Sequence, residues 1–233
     1  MKQSPLKLTG NDLTLLDIED VARRGRPVTY AREAMSRINE GRRFIDAIIE
    51  RGDVVYGVNT GFGILSDVRI EREQIVELQR NLIVSHSIGV GTPLPKEAVR
   101  AIMLLRANVL AKGASGVCQK TAMALLDMLN AGVHPLVPEQ GSVGASGDLA
   151  PLAHLTLAMI GEGQAEYKGE LYEGGEALRR AGLTPLVLEA KEGLALINGT
   201  QVMTAIGALA TLDAWRAAKC ADIVGALSVE ALL

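Results

Sequence analysis

The chain has 233 residues, 48% apolar and only 3% aromatic, with a formal charge of -3. This composition argues against disorder, and mild acidity without a basic arm argues against a nucleic-acid partner. Its two cysteines, Cys118 and Cys220, lie far apart. They support neither a disulfide framework nor a metal-ligand pair, are expected to be small buried hydrophobes, and fit a reducing cytoplasm.

The N-terminus lacks a long apolar core, so no signal peptide is expected. "NDLTLLDIEDVARRG" reads as a short amphipathic helix closed by Gly25. "YAREAMSRINEGRRFIDAIIERG" places Met35, Ile38, Ile45, Ile48 and Ile49 at near-helical spacing, with Gly41 weakening the middle and Gly52 as the stop. "VVYGVNTGFGILSDV" breaks the pattern as a short β-like run followed by a glycine-punctuated loop. "EREQIVELQRNLIVSHSIG" is helical, with Ile75, Leu78, Leu82 and Ile83 on one face. "PKEAVRAIMLLRANVLAKG" begins with Pro95 at the first helical position and ends in glycine. "CQKTAMALLDMLNAG" is a further helix. "HPLVPEQGSVGASG" reads as an ordered loop, and "DLAPLAHLTLAMIG" as a helix with Asp148 as N-cap.

Next, "GEGQAEYKGELYEGGEAL" has the glycines of a small exposed hairpin. "TPLVLEAKEGLALING" leads into one long helical pattern from about Thr200 to Leu233. A helix this apolar needs partners on most sides, and its final run, "GALSVEALL", is too short and interrupted to span a bilayer. The fold expected is mainly α. A mixed N-terminal part with short strands, residues 1–112, precedes the start of a long-helix bundle, residues 113–233. His134 and His154 are read as structural.

The chemistry concentrates at "GSVGASGDLAPLAHL", Gly141 to Leu155. An amide nitrogen is normally a poor nucleophile, because resonance holds its lone pair. A bend that presses Gly147 N against the Ala145 carbonyl carbon would let a five-membered ring close with loss of water. Glycine suits the attacking position because nothing crowds the ring. Ser146 loses its hydroxyl as a second water, leaving an exocyclic methylidene, an electrophile no ordinary side chain supplies. Nearby helix N-termini would make it more electron-poor. Taken alone, "ASG" reads instead as a bent, glycine-rich helix entry capped by Asp148, since small-residue triplets are common in loops.

The wider stretch closely resembles the signature of the aromatic amino acid lyase family, which includes histidine, phenylalanine and tyrosine ammonia-lyases and related aminomutases. "YGVNTGFG" (Tyr56 to Gly63), "QRNLIVSHSIGVG" (Gln79 to Gly91) and "NGTQVMTAIGALA" (Asn198 to Ala210) match in the same order. The resemblance covers essentially the whole chain.

It implies that Ala145, Ser146 and Gly147 condense autocatalytically into 4-methylidene-imidazol-5-one, with no external cofactor and no metal. It assigns Tyr56 as the base for the β-proton. A phenol starts near a pKa of about 10, so the site must favour phenolate. Asn59 and Thr60 serve the turn. Ser85-His86 matches the dipeptide that selects substrate, and Ser-His implies histidine, since imidazole both donates and accepts. Asn198, which also reads as a cap for the long helix, is implied to bind near the electrophile and the substrate amine, and Asp148 to support cyclisation.

The implied reaction starts with attack of the substrate amine on the methylidene and releases ammonia and trans-urocanate from L-histidine, the first step of histidine degradation. Tyrosine or phenylalanine as substrate is the alternative. A non-catalytic helical assembly fragment with an uncyclised loop is another.

Full-length members are roughly twice as long. The resemblance therefore implies an N-terminal half, truncated within the long helix and lacking pocket residues that include an arginine, a second tyrosine and a glutamate. The full-length family is a homotetramer whose active sites draw on several chains. The fragment alone is expected to be inactive or weak, and its exposed apolar helix to favour self-association.

Overall fold

The computed structural model describes residues 3–61, 70, 74–143 and 147–232. Strand β1 (Leu6–Leu8) pairs in parallel with β2 (Val28–Tyr30) around helix α1 (Leu15–Arg24). The sequence of α1 carries its own start and stop. Thr14 Oγ1 accepts from Asp17 N, Asp17 Oδ2 accepts from Thr14 N, and Gly25 closes the helix in the left-handed conformation.

Helix α2 (Arg32–Arg51) runs straight through Gly41 and stops at Gly52. Gly41 faces the Gly113 turn so closely that a Cβ would lie 1.9 Å from Gly113 O. Its place inside a helix therefore reflects backbone approach. No strand forms at Val54–Tyr56, correcting the β-like reading; these residues enter a turn instead.

Helix α3 (Ile75–His86) leads into β3 (Val90–Pro93), and α4 (Lys96–Leu110) follows. Pro95 stands one position outside α4, as its N-cap. Helix α5 (Gln119–Ala131) ends at Gly132. The stretch read as loop contains two short strands, β4 (Val133–Pro135) and β5 (Pro138–Gln140), and β5 pairs antiparallel with β3. Helix α6 (Leu149–Met159) is followed by the expected hairpin, β6 (Gln164–Tyr167) and β7 (Glu170–Glu173), to which β4 adds a third strand. Helices α7 (Gly174–Arg180) and α8 (Glu192–Ile197) precede the long α9 (Gln201–Ala231).

The fold is mainly helical, with a few short strands and a long C-terminal helix. Helix α4 is central: Ala98, Val99, Ala101, Ile102, Met103, Leu104, Ala107 and Leu110 are all buried, and it packs against α1, α5 and α9. Small side chains let these helices approach closely. One continuous apolar cluster runs from Leu8 on β1 to Leu209 on α9. Ion pairs reinforce the contact of α1 with α4 and α9: Arg23 meets Glu97 at 2.8 Å and Asp213 at 2.6 Å, and Arg216 meets Glu19.

Val202, Ala205, Ala208, Leu209 and Leu212 bury the first turns of α9, whereas Trp215, Ile223, Val224, Leu227 and Val229 stand exposed. The helical stretch Glu192–Ala231 reaches the length and mean hydropathy of a membrane span, but half of its most apolar window is packed inside the protein. Cys118 is half-buried and Cys220 is exposed, correcting the expectation of two buried cysteines. Cys220 lies on the part of α9 that no other described element covers.

Candidate active site

Two segments far apart in sequence meet around Asp148. Its amide donates to Gly199 O at 2.7 Å. Its Oδ2 accepts from Val202 N (2.9 Å) and Met203 N (3.0 Å), and its Oδ1 accepts from Ser142 Oγ (2.7 Å). Asp148 occupies the N-cap position of α6, as expected, but its side chain makes no bond to that helix. Its backbone (φ -91, ψ 54) is not the extended conformation of a side-chain cap. Its buried carboxylate instead satisfies the free N–H groups that open α9, where negative charge meets the positive end of the helix dipole.

The expected cap of α9, Asn198, does not serve that end either. It closes α8, its N–H donating to Leu194 O, while Thr200 is the N-cap of α9 and makes no side-chain cap bond. Asn198 is thereby left with an exposed side chain that makes no hydrogen bond among the described residues.

Gly147 has φ +130, and a Cβ on it would lie 2.3 Å from Gly199 O and 2.9 Å from Gly199 N. Only glycine fits this contact without displacing the Asn198–Gly199 turn, and its nitrogen is uncrowded by a side chain. The residues present thus fit what ring closure requires of Gly147. Ala145 and Ser146 lie outside the described residues.

The segment after α3 runs beside β5, Gly141 and α6. Val90 pairs with Gln140, and Gly89 N donates to His154 Nε2 of α6 at 3.0 Å. His154 thereby links α6 to the segment after α3. In the last turn of α3, Ser85 Oγ donates to Leu82 O at 3.1 Å and lies 3.2 Å from His86 Nδ1. His86 Nδ1 is also 2.8 Å from Leu82 O. A carbonyl only accepts, so this contact assigns the proton to Nδ1 and leaves Nε2 as the acceptor in neutral imidazole. Ser85 is exposed and His86 half-buried.

Tyr56 is 56% exposed, on the turn that follows α2. Asn59 and Thr60 build that turn. Asn59 Oδ1 accepts from Val55 N, its Nδ2 donates to Asp53 O, and Thr60 Oγ1 accepts from Gly57 N. The end of this motif, Phe62 and Gly63, lies outside the described residues.

Sequence reasoning missed Arg106. It lies on α4 at 2% exposure and donates through Nη1 to Asn198 O (2.9 Å) and Gln201 Oε1 (2.7 Å). Burial lowers its pKa to about 10, so it remains a cation at neutral pH. The available signal was a charge inside the apolar run "AIMLLRANVLA", where a cation is rarely placed.

His134 is buried and neutral, pushed down to about 4 by desolvation and then by the charges of Lys96 and Arg100. No group of three His, Cys, Asp or Glu side chains suited to a metal occurs among the described residues. The largest hollow described, about 860 Å³ and lined by Arg23, Arg24, Arg100 and His134, contains none of the candidate site residues.

The family model for aromatic amino acid lyase matches residues 13–233. The chain belongs to the aromatic amino acid lyase family. It is 56% identical over 226 residues to the histidine ammonia-lyase of Alkaliphilus metalliredigens, covering 97% of this chain and 45% of that protein. The histidine ammonia-lyase structure from Trypanosoma cruzi superposes with a TM-score of 0.88 at 43% identity, covering 94% of this chain and 42% of that one. The phenylalanine aminomutase of Pantoea agglomerans gives a TM-score of 0.86 at 36% identity, covering 91% and 41%. The chain thus spans about half the length of the relatives it matches. This lyase family uses a self-formed 4-methylidene-imidazol-5-one group. Lyases and aminomutases share the scaffold, so the fold alone does not select the reaction.

Proposed function

We propose that this chain is the part of a histidine ammonia-lyase that carries the electrophile segment, the base loop and the substrate-selecting helix end. The reaction is elimination of ammonia from L-histidine to give trans-urocanate. The observation that carries this reading is the contact of Gly147 and Asp148 with Gly199, which ties the glycine of the Ala-Ser-Gly sequence to the turn bearing Asn198. The 56% identity to a histidine ammonia-lyase supports histidine over phenylalanine or tyrosine.

In this reading Ala145 supplies the attacked carbonyl, Ser146 the second water and Gly147 the nitrogen of the 4-methylidene-imidazol-5-one. Once formed, that group supplies an electrophile for the substrate amine. Asp148 holds the segment against α9 while the ring closes. Asn198, with its amide side chain unengaged, binds the substrate amine. His86 keeps its proton on Nδ1 through Leu82 O and offers Nε2 to the N–H of the substrate imidazole, with Ser85 beside it. Tyr56 Oη takes the β-proton. A homotetramer in the cytoplasm is part of this reading, and the exposed Trp215, Ile223 and Leu227 on α9 support an assembled state.

The test incubates the full-length protein with L-histidine and, separately, L-phenylalanine and L-tyrosine. Urocanate from histidine is the expected product. Cinnamate or coumarate without urocanate would overturn the choice of substrate.

A further inference from the structure

Helix α4 buries a cation whose two hydrogen-bond acceptors, Asn198 O and Gln201 Oε1, are both neutral. Its Nε has no partner among the described residues. The ionisable groups that feel its charge give it no anion. Burial pushes the Tyr30 phenol well up, so it stays neutral, and Lys191 is itself a cation, lowered by burial and by Arg106. An unpaired buried charge is costly. A residue serving only to fill α4 would be apolar, like Met103 and Leu104 beside it.

The charge is spent on one turn. A peptide unit is planar, so anchoring Asn198 O to Arg106 also fixes the direction of the Gly199 N–H. Gly199 O, in turn, receives the Asp148 amide, and Gly199 N and O both border Gly147. A Cβ on Gly199 would stand 2.5 Å from Arg106 Nη1, so the guanidinium abuts the same residue that abuts the electrophile segment. Asn198 takes its backbone direction from this anchor, while its side chain remains unengaged.

We propose that Arg106 is a positioning residue for Gly147, the nitrogen of the proposed ring, and for Asn198. It acts through the Asn198–Gly199 peptide, which it locks against Gly147. The inference rests on the histidine ammonia-lyase reading above and assigns a role in it to a side chain of α4 that does not itself touch substrate.

The test uses Arg106→Met, Arg106→Lys and Gln201→Met in the full-length protein, with Arg100→Met as control. Arg100 is also a buried arginine of α4, but it donates to Val21 O, Leu129 O and His134 Nε2. For the folded fraction of each variant, the mass of the peptide containing residues 145–147 reports the fraction that has lost two waters, roughly 36 Da. Steady-state kinetics on histidine give kcat and KM separately.

Arg106→Met is expected to leave most of the folded protein undehydrated and to lower kcat about a hundredfold with a smaller change in KM, as for a misplaced reacting group. Arg106→Lys should recover part of both, because an ammonium retains a donor for Asn198 O. Arg100→Met should dehydrate fully. Complete dehydration with unchanged kcat in folded Arg106→Met overturns the inference. If that variant does not fold, Gln201→Met decides: a several-fold loss of dehydration supports the inference, and full dehydration with unchanged kcat overturns it. An unmodified protein that keeps both waters and makes no urocanate defeats the underlying reading, a result distinct from a failure confined to the variants.

Discussion

Asp148 and Val202 are 54 residues apart in sequence and joined by a 2.9 Å hydrogen bond from the Val202 amide to the Asp148 carboxylate. The carboxylate that opens one helix therefore caps another. This relationship puts Asp148 at the positive end of α9 and makes its side chain responsible for three hydrogen bonds at once.

Asp148→Ala removes the cap of α9 and strands buried N–H groups. The expected loss is about 3 kcal/mol, the scale of hydrogen bonds to a buried charge. Urea unfolding should show it as a lower midpoint with little change in slope. Asp148→Asn should cost less, because one carbonyl oxygen remains to accept from Val202 and Met203.

Gly147→Ala places a methyl group against Gly199 O at a backbone angle that L residues rarely adopt. We expect a loss of more than about 1 kcal/mol, together with failure to lose water at residues 145–147. A folded, fully dehydrated Gly147→Ala protein would show that the Gly147–Gly199 contact is dispensable.

His86→Phe removes the acceptor proposed for the substrate imidazole. Its expected effect is a rise of about 10- to 100-fold in KM for histidine, the scale of losing one buried hydrogen bond, with a relative gain for phenylalanine. Kinetics on both substrates check it. Equal losses on both would assign His86 a role other than selection.

Acid should destabilise the protein through His134. Its folded pKa, about 4, lies below the ordinary 6.5. Between those values the unfolded chain binds a proton that the folded protein refuses. The stability contributed by neutral His134 is therefore present above pH 6.5 and lost progressively as pH falls towards 4. The slope reaches about 1.4 kcal/mol per pH unit for one such group. His154, also lowered by burial, acts in the same direction. Stability measured between pH 8 and 4 should fall less steeply in His134→Gln than in the parent.

Much of the helical framework was legible because its signals are local. Gly25, Gly52 and Gly132 stop their helices where sequence places them, and the glycines around Gln164–Glu173 mark a hairpin. Three differences share another cause: a partner distant in sequence engages a group that looked locally committed. Asp148 was assigned to its own helix, but the N–H groups of α9 claim it. Asn198 looked like the start of α9, but Arg106 holds its carbonyl and α8 its amide. Gly41 looked like a weak point, but Gly113 lies against it. The four motifs supplied the candidate site residues through the family resemblance they carry. They gave no means of seeing that Arg106, on an apolar helix outside all four, holds the turn that opens the last of them.

The central claim is that Ala145, Ser146 and Gly147 are reactants. The most direct test is the mass of the peptide containing these residues, taken from folded full-length protein. A deficit of two waters, roughly 36 Da, is the expected result, with Ser146→Ala abolishing it. An intact peptide of unaltered mass from protein that is folded and turns over histidine would contradict the account.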